Sequence, residues 1–175
     1  VPRVGILVLG NPEPFWTLFR EALRTLGYVD GQNVQYVFRS AEGKPNLLPG
    51  LAAELVRLKV DMIVANQTPA ATAAKRATGE IPIVMAGVGD PVGTGLIASL
   101  ARPGGNITGV TGVTAELAGK TLELVREILP AARRVAVLAN AADPFTKPFL
   151  EQLQAAARTL GRELQDHAFA LGEGF

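Results

Sequence analysis

The chain has 175 residues, 48% hydrophobic and 19% charged, which is enough apolar material for a packed core and too ordered a mix for a disordered tail. Seventeen Lys and Arg against sixteen Asp and Glu leave a net charge of +1, and only 6% of residues are aromatic, so neither a basic nor a base-stacking nucleic-acid surface is expected. The absence of cysteine excludes thiol nucleophiles, thiolate metal sites and disulfides, and the single histidine, His167, cannot build a His-rich metal centre, so no metal and no cofactor is expected.

Apolar runs rich in β-branched residues alternate with segments of helical period. Val4–Leu9 predicts a buried strand. Phe15, Leu18, Phe19, Ala22, Leu23 and Leu26 then recur at helical spacing, and Gly27 stops that helix. Val34–Phe38 predicts the second strand, and Leu47 to Leu58 carries a second helical stripe. Met62–Ala65, Pro69–Ala77 and Pro82–Ala86 follow as strand, Ala-rich helix and strand. The longest apolar stretch, Ile83 to Ala101, is interrupted by Asp90 and Pro91, so no span of about 18 apolar residues exists.

From Asp90 to Thr114 the chain is Gly-rich, with a helical turn at Leu96–Leu100 and a short strand at Ile107–Val110. Leu117 to Ile128 is helical and ends before Pro130. Val135–Ala139 predicts a strand, Phe149–Leu160 a helix closed by Gly161, and Glu163–Phe169 a final strand. Strand–helix alternation of this kind predicts a parallel sheet with helices on both faces.

The two ends of the chain echo one another. Arg3-Val4-Gly5-Ile6-Leu7 resembles Arg134-Val135-Ala136-Val137-Leu138, Glu13-Pro14-Phe15 resembles Asp143-Pro144-Phe145, and both units run on to Thr-Leu-Gly. The echo predicts two similar lobes, residues 1–111 and 112–175, joined near Gly109–Thr114. The second would expose much of its apolar face, so a truncated lobe, or one completed by another chain, is expected.

In open parallel sheets, ligands sit beyond the carboxyl ends of the strands. The loops expected there supply Asn11, Asn66, Gln67, Thr68, Gly89, Asp90, Asn140 and Asp143 as candidate ligand-binding residues. Thr68-Pro69 and Asp143-Pro144 read as helix caps followed by proline, leaving first-turn amides to face a carboxylate. Asp90 and Asp143 either cap their own elements or meet an ammonium group. Trp16 lies about 100° from the Phe15 stripe, beside the expected cleft, where it packs or stacks on a ligand. Phe145, at the position of Phe15, is expected in the core. Gly119-Lys120-Thr121 lacks the first glycine of a phosphate loop, with Thr114 in its place. Gly93 to Ala98 spells a dinucleotide fingerprint outside the first βα unit, and Ser40, Ser99 and His167 lack a nucleophile's setting.

Leu26 to Val34, Leu51 to Val56, Thr68 to Ala71, Ile81 to Val84, Gly89 to Gly93, Leu100 to Val110 and Arg133 to Leu138 together resemble one family. It is the periplasmic substrate-binding proteins of ABC transporters, tryptophan/tyrosine type. The resemblance implies a type I periplasmic-binding-protein-like α/β fold: a Rossmann-like parallel-sheet lobe plus an incomplete second α/β lobe. It further implies a non-catalytic, extracytoplasmic protein that binds an amino acid between its lobes and delivers it to an ABC permease, with no nucleic-acid partner. The alternatives are a ligand-sensing domain of a cytoplasmic regulator or receptor, and a nucleotide-using Rossmann-like enzyme.

Overall fold

The computed structural model describes residues 1–113 and 117–169; Thr114, one end of the expected joint, falls outside them. Five strands, β1 (Arg3–Val8), β2 (Gln35–Ser40), β3 (Met62–Asn66), β4 (Ile83–Gly89) and β5 (Ile107–Val113), form one parallel sheet in the order β2-β1-β3-β4-β5. The reversal of direction on either side of β1 puts the crossover helices on opposite faces, as the right-handed connection rule requires.

Alternation along the strands divides the core. Val4, Ile6 and Val8 point to the face covered by α1 (Phe15–Thr25), while Leu7, Ile63, Ala65, Ile83 and Met85 point to the face covered by α2 (Leu48–Arg57) and α3 (Gln67–Ala77). α3 buries Thr68, Pro69, Ala70, Ala71, Ala73 and Ala74, and these short side chains let its axis lie close to the sheet. A bidentate pair, Arg39 Nε to Glu54 Oε2 at 3.0 Å and Nη2 to Oε1 at 2.8 Å, joins β2 to α2.

On the opposite face, α1 buries none of its residues completely. The expected stripe is only partly the packed one. Leu18 and Leu26 are 66% and 72% exposed, whereas Trp16 turns inward, edge-on to Tyr36 at 5.2 Å and 5.5 Å from Phe38. The aromatic wall of β2 offers a large flat partner, and an indole covers more of it than a leucine can, so the helix rotates Trp16 onto it. The ligand-stacking alternative for Trp16 is thereby corrected: the ring belongs to the sheet.

The second unit comprises α4 (Leu117–Ile128), β6 (Arg134–Asn140), α5 (Thr146–Thr159) and β7 (Glu163–Phe169). β6 and β7 pair in parallel, from Arg134↔Glu163 onward. Ala118, Leu122, Leu153 and Ala157 close a small core between the two helices, against Val135 and Val137. On the uncovered face of β6, Leu138 is 73% exposed.

The sequence echo has a structural counterpart. Gly27 N donates to Arg24 O and Tyr28 N to Leu23 O, while Gly161 N donates to Arg158 O and Arg162 N to Ala157 O. Both helices thus end in the same paired C-terminal hydrogen bonds. These need a left-handed residue, and φ is +89° at Gly27 and +62° at Gly161. The helical turn expected at Leu96–Leu100 is absent. A run of turns occupies Pro91–Gly95 instead, where Gly93 and Gly95 disfavour a helix and Lys75 Nζ donates to the carbonyls of Gly95 and Leu96, each at 2.8 Å.

Candidate functional site

β4 runs three residues past its expected end and β5 likewise, carrying both to the mouth of the sheet beside the start of α3. The polar loops at that carboxyl edge meet the second unit around a cavity of about 340 Å³. The first unit contributes Leu9, Gln67, Thr68, Gly87, Gly89 and Gly112; the second contributes Asn140, Asp143 and Phe145. This is where a doubly wound sheet places its ligand.

α3 starts one residue before the expected cap position, so Thr68 is inside the first turn and no side chain caps the helix at Asn66. Thr68 is 3% exposed, and its Oγ1 accepts the amide of Gly89 at 3.1 Å. The capping role expected of Thr68 is therefore corrected: the hydroxyl fastens the end of β4 to the helix start. Thr68 also lines the cavity, and a hydroxyl that accepts one bond still has a proton to donate. Gln67 holds a left-handed conformation, φ +70°, at the first position of α3. The first-turn amides of that helix have no intrahelical acceptor and form its positive end.

Asp143 Oδ1 accepts the amide of Phe145 at 2.9 Å, which fixes the loop entering α5. Burial pushes the Asp143 carboxyl above the ordinary carboxylate range, and the Phe145 amide opposes that rise. Among the described residues, the ion pairs are Arg24–Glu21, Arg39–Glu54 and Lys120–Glu123, and Asp143 is in none of them. Among the described residues, no Lys, Arg or His lines the cavity, and Asp143 is its one charged side chain. Asn140 Oδ1 accepts the amide of Ala142 at 3.0 Å.

Of the residues expected at the site, Gln67, Thr68, Gly89, Asn140 and Asp143 converge, whereas Asn11, Trp16, Asn66 and Asp90 do not. Asn11 accepts the amide of Glu13 at 3.0 Å on the exposed first loop. Asn66 Nδ2 donates to Ala86 O at 3.3 Å, bracing β3 against β4. Asp90 Oδ1 accepts the amide of Gly93 at 2.9 Å, closing the turn that follows β4. Each of these polar groups is engaged by backbone, Asn11 and Asp90 within their own turns and Asn66 across to β4. Leu9, Gly87, Gly112 and Phe145 are the lining residues that sequence reasoning missed. The rule of strand carboxyl ends points to Leu9 and Gly87, and Phe145 belongs to the cavity wall instead of the core expected for it.

A second hollow, of about 300 Å³, lies on the outer side between α2, α3 and Ala142–Pro144. It is lined by Pro45, Leu48, Pro49 and Ala73, with Arg76 as its charged residue, and has no convergent polar groups. Among the described residues there is no cluster of three His, Cys, Asp or Glu able to hold a metal, and no helix is long and apolar enough to cross a membrane.

The chain is similar to several known proteins. A tyrosine-binding protein of Clostridioides difficile is 38% identical over 140 residues, which is 80% of this chain and 40% of the relative. A conserved domain protein from Vibrio cholerae has a solved structure that superposes with a TM-score of 0.86 at 29% identity, covering 96% of this chain and 57% of its own. An ABC domain in complex with L-Trp from Streptococcus pneumoniae gives a TM-score of 0.84 at 28% identity over the same shares. The chain thus spans about half the length of these relatives. The fold is that of type I periplasmic binding proteins, as the resemblance implied. A family model described as ABC transporter substrate binding protein matches residues 17–169, from α1 of the first unit to the end of β7, and this chain belongs to that family.

Proposed function

We infer that this chain is the solute-binding part of an ABC importer that takes an amino acid between two lobes, one built on the five-stranded sheet and one comprising α4 to β7, outside the cytoplasm. The bound molecule is handed to a membrane permease, and no reaction is performed on it. One observation carries this reading. Among the described residues, the cavity has a single charged side chain, the Asp143 carboxylate, and its wall also includes the positive end of α3 with the Thr68 hydroxyl. A ligand with an ammonium group at one end and a carboxylate at the other satisfies both. A dicarboxylate would bring a second negative charge to a cavity that no lysine or arginine lines among the described residues. The relatives whose names mention tyrosine and L-Trp support an amino acid as the ligand class.

A thermal-shift panel of the standard amino acids, with succinate and putrescine as charge controls, tests it. One or more amino acids raise the melting temperature at millimolar concentration and the two controls do not. If no amino acid shifts it, or if succinate does so equally well, the zwitterion assignment fails.

A further inference from the structure

We propose that Gly89 is the seat on which Phe145 rests, and that this pair sets how closely the two units approach over the ligand; the proposal deepens the amino-acid reading and rests on it for its ligand arm. Gly89 ends β4 and Phe145 immediately precedes α5, so their contact joins the five-stranded sheet to the second unit. A β-carbon built on Gly89 would lie 2.7 Å from both Cγ and Cδ2 of the Phe145 ring and 3.1 Å from Cδ1. Carbon atoms in contact stand about 3.5–4.0 Å apart, so a methyl group there and the ring in its present place exclude each other.

Neither partner is free to yield. Gly89 is held by the hydrogen bond its N–H donates to Thr68 Oγ1 at 3.1 Å, which ties it to α3. The backbone at Phe145 is held by Asp143 at 2.9 Å, and its ring is backed by Phe149 with centroids 5.3 Å apart. Displacing the ring therefore moves the loop and α5 with it. Both residues line the same cavity, so a change in their spacing is also a change in the distance between Asp143 and the start of α3. The glycine acts as a positioning residue for groups on the opposite unit.

The test is a double-mutant cycle on the whole chain, read in two ways. The first readout is calorimetric affinity for L-tyrosine, L-tryptophan and L-leucine in the wild type, Gly89→Ala, Phe145→Ala and the double variant. Gly89→Ala is expected to weaken the best-binding amino acid about tenfold or more, and less than about twofold once Phe145 is alanine, because the clash is then gone. The second readout needs no ligand. The chain has no cysteine, so spin labels at Arg57→Cys on α2 and Gln152→Cys on α5 report the separation of the units alone. Gly89→Ala shifts that distance distribution outward, and Phe145→Ala in the same background restores it. Additive affinity losses in the cycle, or an unchanged distance in Gly89→Ala with its circular dichroism intact, overturn the proposal. If the wild type binds no standard amino acid, the functional reading fails by itself, and the label distance still decides the Gly89–Phe145 pair. Should Gly89→Ala fail to fold, an unchanged distance in Phe145→Ala serves as the overturning result.

Discussion

The hydroxyl of Thr68 accepts the amide of Gly89 at 3.1 Å, and Thr68 is almost completely buried. This one bond holds the start of α3 against the end of β4, the two pieces of backbone that form one wall of the cavity. Replacing Thr68 by valine keeps the shape and strands the amide. The expected cost is about 1–3 kcal/mol in urea unfolding, with weaker amino-acid binding, whereas Thr68→Ser retains most of both. Equal stability of the valine and serine variants would show that the bond is idle.

Asp143 yields a prediction in which stability and affinity move in opposite directions. Burial raises its pKa in the folded protein above that of the unfolded chain, so the folded state binds the proton more tightly. The unliganded protein therefore gains stability from this group as pH falls from its raised pKa toward the ordinary carboxylate value. The complex with an amino acid behaves oppositely, because the ammonium needs the carboxylate. Asp143→Asn is expected to raise the unliganded melting temperature at pH 7, lower affinity about tenfold or more, and flatten the affinity's decline in mild acid. Melting curves and calorimetry over a pH series from the neutral into the mildly acid range check all three.

Gln67 sits at φ +70°, where a side chain with a β-carbon is strained. Gln67→Gly removes that strain at the cost of a looser unfolded chain, and a net gain of about 0.5–1 kcal/mol is expected in denaturant unfolding. Gln67→Val is expected to lose at least as much, since a β-branched residue tolerates the conformation worst. A glycine variant less stable than the parent contradicts this.

Gly109 has no room for any substituent. Its β-carbon would run into the Met85 carbonyl oxygen, in the middle of the β4–β5 ladder, and its φ is +142°. Gly109→Ala is expected to cost more than about 3 kcal/mol, visible as loss of soluble folded protein or a collapsed denaturation midpoint. A variant that melts with the wild type would disprove the close approach.

The order of elements was legible because strand and helix periods differ and because each βα unit is punctuated. Thr25-Leu26-Gly27 and Thr159-Leu160-Gly161 announce helix ends from residues alone, and both glycines take the left-handed cap. The Ala-rich run predicted α3, but its first turn begins at Gln67, since a residue with positive φ does not advertise a helix start. At the site, Gln67, Thr68 and Asp143 could be found from the rule of strand carboxyl ends. Asp90 and Asn66 could not be separated from them, because one polar side chain serves equally well to close its own turn or to meet a ligand, and only the direction of the loop decides. Gly112 and Phe145 were hidden for a different reason: each enters the cavity through contacts between units far apart along the chain.

α1 leans on the sheet through its aromatic face without burying a single residue, and it contributes nothing to the cavity wall. Loosening of this helix uncovers no fully buried residue, whereas loosening α3 would uncover six. The molecule thus keeps its softest segment mechanically remote from its recognition chemistry, and thermal fraying on that flank leaves the grip on a bound molecule undisturbed.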